Sequence, residues 1–262
     1  MKIVVCIKQV PDTNEVKLDP VTNTLIREGV PSIINYDDKS GLEAALRLRE
    51  KVGGTVSVVC MGPAQADVAL REALAMGCDE AFLISSKEFS GSDTWATASI
   101  ISAAIRKIGY DVVITGRQAI DGDTAQVGPQ IAETLGIPQI TYVEELTSEN
   151  DVLLVKRQYE DGYHMIEVKP PCLLTALTEL AEPRYMCVKG IINAYEKEVK
   201  VLTWNDLKDS LVSEYIGLKG SPTRVIKSFT KQAKGAGELL SDLSVDEAVE
   251  AIMKKMIERH II

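Results

Sequence analysis

The stretch GRQAIDGDTAQVGPQIAETLG, Gly116–Gly136, gathers the residues of this 262-residue chain best suited to hold a polar ligand. Asp121 and Asp123 flank Gly122. Gln118 and Gln126 stand close on either side, and Thr124 and Ala125 keep the backbone uncrowded. The stretch follows the apolar run DVVIT and precedes a helical pattern, so it reads as a loop that closes a strand and opens a helix. A helix start offers unbonded N–H groups and a partial positive charge, which suit a phosphate. The carboxylates and carboxamides can bond ribose hydroxyls or adenine. A turn followed by a helix cap would use Asp121 and Asp123 equally well. With neither a Walker lysine nor a GxGxxG, the residue types leave the two readings level.

Other chemistries find less support. The five cysteines (Cys6, Cys60, Cys78, Cys172, Cys187) are scattered, mostly in apolar runs, and form no CxxC pair. They read as reduced, buried and cytoplasmic. His164 and His260 lie far apart, so neither a protein-held metal nor a Ser-His-Asp or Cys-His arrangement is expected. Chemistry, if present, falls to a bound cofactor. A net charge of −9 and 5% aromatic residues argue against nucleic acid. No apolar run reaches the roughly 20 residues of a membrane span. MKIVVCIKQVPD turns polar too soon for a signal peptide and reads as a first strand.

The loop needs a frame, and the first half of the chain supplies one. Lys2–Lys8, Thr55–Met61, Ala81–Ile84 and Asp111–Thr115 are strand-like. They alternate with helical patterns over Lys39–Val52 (capped by Asn35 or Asp37), Gln65–Met76 and Thr94–Ile108. The alternation predicts an α/β, Rossmann-like parallel sheet with helices on both faces and right-handed crossovers. Ligands of such sheets bind beyond the carboxyl ends of the strands, where strand order reverses. Val16–Val30 is a polar excursion, read as a small hairpin. After a helix over about Gln126–Leu135, short alternating runs at Gln139–Glu145, Val152–Glu160 and Tyr163–Val168 predict an antiparallel hairpin region, with Asp161-Gly162 as a turn. Leu173–Ala176 is one more candidate strand. From about Thr203 the chain reads as less compact, with KGSPTRVIKSFTKQAKGAG as an extended arm. A last helix follows, capped by Ser244 and Glu247. This gives a nucleotide-binding domain over 1–200 and a C-terminal arm and helix over 201–262.

Four blocks, MKIVVCIKQVPDT, CMGPAQADVALREALAMGCDEA, GRQAIDGDTAQVGPQIAE and EPRYMCVKGIINA, occur in order and at fitting intervals. Together they resemble the β subunits of electron transfer flavoproteins over essentially the whole chain. The resemblance implies a heterodimer whose α subunit holds one FAD and whose β subunit holds an adenine nucleotide. Carried over by matching positions, nucleotide contacts fall at Cys6, Asn35, Tyr36, Asp37, Asp38 and Met61. They continue along Gly116, Arg117, Gln118, Ala119, Ile120, Asp121, Gly122, Asp123, Thr124, Ala125, Gln126 and Val127. The family often has cysteine where Met61 stands, which implies a backbone contact there. Glu182, Arg184, Tyr185 and Val188 match the loop that docks a flavin-dependent dehydrogenase, and the C-terminal arm matches the part that embraces the α subunit. On residue type alone, a cysteine such as Cys6 in an apolar strand is more often a small core residue, and Arg184 beside Glu182 more often a surface ion pair.

The family has two classes. In one, the β subunit carries AMP as a structural ligand and the protein is a one-electron shuttle. In the other it carries a second FAD, oxidises NADH and sends the two electrons along separate routes. One route leads to a dehydrogenase flavin and the other to ferredoxin or flavodoxin. KQVPDT and DGDTAQVGP resemble the second, bifurcating class, with the NADH side implied at Val10, Pro11, Asp12 and Thr13. A non-redox nucleotide-binding module on the same sort of fold is the remaining alternative.

Overall fold

The structure, a computed structural model, describes residues 1–12, 31–223, 225–226, 235 and 237–262. Eleven described strands are β1 (Lys2–Ile7), β2 (Gln9–Pro11), β3 (Ser32–Ile34), β4 (Thr55–Met61), β5 (Glu80–Ile84), β6 (Val112–Gly116), β7 (Gln139–Glu149), β8 (Val152–Tyr159), β9 (Gly162–Val168), β10 (Cys172–Ala176) and β11 (Val199–Leu202). The described α-helices are α1 (Tyr36–Val52), α2 (Asp67–Met76), α3 (Thr94–Ile108), α4 (Val127–Leu135), α5 (Val188–Glu196), α6 (Trp204–Leu207), α7 (Gly217–Gly220) and α8 (Val245–Glu258). Nine strands form one sheet in the order β11-β5-β4-β1-β6-β10-β7-β8-β9, and β2 pairs with β3. Pairing is parallel from β11 through β7 and antiparallel across β7-β8-β9. The α/β architecture read from the sequence is therefore present, as is the hairpin region.

The two-residue period of a strand explains the layering. On β1, Ile3, Val5 and Ile7 point into a core shared with Leu42 and Leu46 of α1 and Leu70 and Leu74 of α2. Val4 and Cys6 point the other way, into a core with Ile101 and Ile105 of α3 and Ile131 of α4. Both faces are covered, which is why KIVVCI is continuously apolar. In the outer hairpins, Asn150 and Asp151 both take positive φ (49° and 64°), as a two-residue turn between β7 and β8 requires. Glu160-Asp161 joins β8 to β9, one residue before the expected Asp161-Gly162 turn, with Gly162 already in β9 and paired to Tyr159.

The β2-β3 pair, α5, β11 and the short helices α6 and α7 were not foreseen. VKVL of β11 exposes Lys200 and Val201 together and buries only Leu202, so it is too short and too irregular for a two-residue period to stand out. The chain divides into compact units Met1–Val225 and Ile226–Ile262. In the first, Thr203 and Asp206 form a capping box for α6, and Leu207 and Ile216 are buried, so packing continues past Thr203. The segment read as an arm, 219–237, lies partly outside the described residues, and the hairpin read over Val16–Val30 lies wholly outside them. In the second unit, Ser244 and Glu247 form the expected capping box of α8, and Lys255 pairs with Glu238. No helix among the described residues is long and apolar enough to cross a membrane.

Candidate nucleotide site

From β1 the chain steps outward to β4 and β5, then returns to place β6 on the other side of β1. Strand order thus reverses between β1 and β6, and their carboxyl ends bound a crevice. One side chain ties those ends together. Asp38, in the first turn of α1, accepts the N–H of Lys8 at Oδ2 (2.7 Å) and the N–H of Gly116 at Oδ1 (2.9 Å). A Cβ on Gly116 would fall 2.2 Å from Asp38 Oδ1 and 2.9 Å from the Asp38 nitrogen, so only glycine fits. Burial pushes the Asp38 carboxyl up to about 7, and the donated amides only partly offset it. Asp37 is likewise raised by burial, against the attraction of the Arg117 guanidinium 3.5 Å away.

Asn35 stands at the N-cap of α1 but makes no side-chain cap bond. Its side chain is spent on the loop instead. Nδ2 donates to the carbonyl of Gln118 (2.8 Å), and Oδ1 accepts the N–H of Ile120 (3.1 Å), with the residue fully buried. The loop then folds on itself. Ala119 O accepts from Gly122 N and Asp123 N, and Gln118 Nε2 donates to Asp123 Oδ1 (2.5 Å). Asp121 Oδ1 receives Lys8 Nζ at 2.6 Å. Each carboxylate of this acidic loop is therefore already engaged within the protein.

The free groups are donors. Among the described residues, the N–H groups of Thr124, Ala125, Gln126, Val127 and Gly128 reach no protein acceptor, and Pro129 has none to offer. Asp123 and Ala125 take left-handed φ (55° and 52°), and Gln126 returns to the right-handed region. For residues with a Cβ each such turn costs on the order of 1 kcal/mol or more. A left-handed residue followed by a right-handed one, as at Ala125-Gln126, is the backbone arrangement in which successive amides can share one anion. Among the described residues, a Cβ on Gly122 would meet only Lys8 Nζ, at 4.0 Å, so the described chain leaves the space over this glycine open. The donor set and the open glycine fit a phosphate-bearing nucleotide.

The structure thus brings together Asn35, Asp37, Asp38 and Gly116–Val127. Cys6 lies just inside the crevice on β1, buried with its thiol pushed far above the ordinary range by burial. Met61 ends β4, on the side of β1 away from β6. Tyr36 is half exposed. Val10 and Pro11 lie on β2, and Asp12 N donates to Pro31 O (2.7 Å); Thr13 is outside the described residues. The sequence reading missed two side chains here. Lys8 is the polar residue just past β1, and that position was its only signal. Thr94 Oγ1 bonds Gln126 Oε1 (3.1 Å) across from α3, which nothing in the sequence announces. No His/Cys/Asp/Glu group among the described residues has the makings of a metal site.

The presumed docking loop is built differently. Arg184 does not pair with Glu182. It takes Glu43 (2.8 Å) and Glu50 (2.6 Å) on α1, while the Glu182 carbonyl accepts from Arg47 (2.9 Å). Although burial works against it, the Glu43 carboxyl is held below its ordinary range by Arg184 and Arg47. Beside this anchor, Tyr185 is 99% exposed and Val188, at the start of α5, 75% exposed.

The electron transfer flavoprotein domain model matches residues 22–207. The chain is 60% identical to "Electron transfer flavoprotein subunit beta" of Thermoanaerobacterium thermosaccharolyticum, over the full length of both. It is 53% identical to "Caffeyl-CoA reductase-Etf complex subunit CarD" of Acetobacterium woodii and 51% identical to "Acryloyl-CoA reductase electron transfer subunit gamma" of Anaerotignum propionicum, again over the full length of both chains.

Proposed function

The chain belongs to the electron transfer flavoprotein β-subunit family, and from that premise we propose that it holds FAD in the β1/β6 crevice. There, paired with an α subunit, it oxidises NADH and divides the electrons between a dehydrogenase flavin and ferredoxin or flavodoxin. The observation that carries the nucleotide reading is the run of N–H groups from Thr124 to Gly128, without protein acceptors among the described residues, beside the open face of Gly122. A diphosphate offers more acceptors than a monophosphate to such a run, which favours FAD over AMP. KQVPDT and DGDTAQVGP support the same choice. An FAD held by Asn35, Asp38 and the Gly116–Val127 loop would supply the chemistry of accepting electrons in a pair and passing them on one at a time.

The chain's own residues bind and orient. Asn35 and Asp38 fix the loop and the strand ends, so the donors are in place before the ligand arrives and little ordering remains to be done on binding. Asp121 and Asp123, engaged by Lys8 and Gln118, keep the loop's shape. No side chain need act as acid or base. The relatives named for CoA reductases suggest that the dehydrogenase partner is an acyl-CoA enzyme, with Tyr185 and Val188 on its docking face. The test is to denature the purified heterodimer and quantify released nucleotides. Two FAD and no AMP per pair is expected; one FAD and one AMP would overturn the reading in favour of the simple shuttle.

A further inference from the structure

Lys8 is held on both sides of its backbone. Its N–H donates to Asp38, and its carbonyl accepts from Asn35 N (2.9 Å). Its side chain is thereby aimed along the crevice, where the ammonium meets Asp121. The pair is lopsided: the Lys8 side chain is 44% exposed and that of Asp121 only 5%. An ammonium has three donors, and Asp121 takes one of them. Lys8 Nζ lies 4.0 Å from where a Cβ on Gly122 would stand, with no other heavy atom of the described residues within 4 Å of that point. The other cation of the crevice, Arg117, is turned toward Asp37 and the Tyr142 ring.

We propose that Lys8 is the residue that makes this crevice select for anionic nucleotides, binding a phosphate oxygen from the β1 side while Asp121 holds its ammonium in place. The proposal rests on the nucleotide reading of the crevice, and its test separates the two. ADP and adenosine binding are measured by equilibrium dialysis on the heterodimer after its bound nucleotides have been stripped. Lys8→Met is expected to weaken ADP about tenfold or more, the worth of one charge-assisted hydrogen bond, and to leave adenosine within about twofold.

The double variant Lys8→Met/Asp121→Asn should remain as weak as Lys8→Met. Recovery of wild-type ADP affinity in the double variant would show that Lys8 only neutralises Asp121, and would overturn the proposal. Unchanged ADP affinity in Lys8→Met would overturn it too, leaving the crevice reading intact. A wild-type complex that binds neither compound overturns both. Should Lys8→Met fail to assemble, the salt dependence of the wild-type complex decides. ADP affinity should fall with added salt while adenosine affinity holds, and equal dependence for the two would count against Lys8.

Discussion

The crevice at β1/β6 and the loop at Glu182–Val188 both rest on buried charge next to α1, yet they use it in opposite ways. In the crevice, Asn35 and Asp38 satisfy backbone groups that would otherwise be orphaned, and what is left over is a row of unbonded amides. At the loop, Glu43 and Glu50 grip Arg184, and what is left over is apolar: Tyr185 and Val188 stand in solvent. The first surplus calls for a small anion, the second for a protein surface. The difference shows that polar groups at α1 act as scaffolding in both places and leave surfaces of opposite chemistry uncovered.

If the crevice is pre-built, damage to its frame should cost folding stability as well as binding. Gly116→Ala should have the largest effect. Its methyl would collide with both the carboxylate and the backbone of Asp38, neither of which can yield without breaking the strand tie. A loss of about 3 kcal/mol or more is expected, seen as a lower denaturation midpoint and loss of bound nucleotide together. Asn35→Ala follows. It strands the carbonyl of Gln118 and the N–H of Ile120, at a cost of about 2 kcal/mol, with nucleotide affinity falling further than stability alone predicts. Stability within error of wild type for Asn35→Ala would mean that the loop holds itself.

The two regions were not equally legible in the sequence. The strand ends and the loop could be read because apolar runs fix the strands, and a parallel sheet fixes where its ligands go. Asn35 was read as a helix cap or a nucleotide contact; it does stand at the N-cap of α1, but its side chain makes no cap bond there. Its bonds run to residues 83 and 85 positions away, a separation that no local pattern reports. Lys8 was hidden for the same reason, since its partner Asp121 is 113 positions away. Arg184 was read against its neighbour Glu182 because local pairs are all a sequence displays. Its real partners lie on a helix that folding brings alongside. α5 was missed as an element because Val188, Ile191, Ile192 and Tyr195 are all exposed and only Ala194 is buried, so no buried face marks the helical period.

Asp38 supplies a finer test. Its carboxyl is raised from 3.8 to about 7 by burial. Between those values the folded chain keeps a proton that the unfolded chain has lost. The site's contribution to stability is therefore full below 3.8, declines as pH rises, and is gone above about 7. Asp38→Asn, which cannot titrate, should remove this component. The difference in unfolding free energy between wild type and variant should then fall from pH 4 to pH 7. A difference independent of pH would show that the amides of Lys8 and Gly116 keep the carboxylate ionised throughout.

The smallest effect on stability is expected on the other side of the comparison. Val188 is 75% exposed at the first turn of α5, and its side chain supports nothing beneath it. Val188→Asp should leave the unfolding free energy within about 0.5 kcal/mol of wild type, because exposed positions away from caps and networks rarely cost more. An acidic residue in the first turn of a helix is also on the favourable side of its dipole. The same change should nevertheless impair docking. A carboxylate placed in an apolar contact must shed water when the partner arrives, and that cost is uncompensated unless a cation faces it. Electron transfer to the dehydrogenase should slow at limiting dehydrogenase, while bound nucleotide and the NADH-driven step stay as in wild type. Arg184→Ala would blunt the distinction, since it frees two carboxylates on α1 and should lower stability and docking together. Val188→Asp separates the two. Normal coupled turnover in that variant would falsify the assignment of this surface and return Tyr185 and Val188 to the ordinary exposed residues of a folded chain.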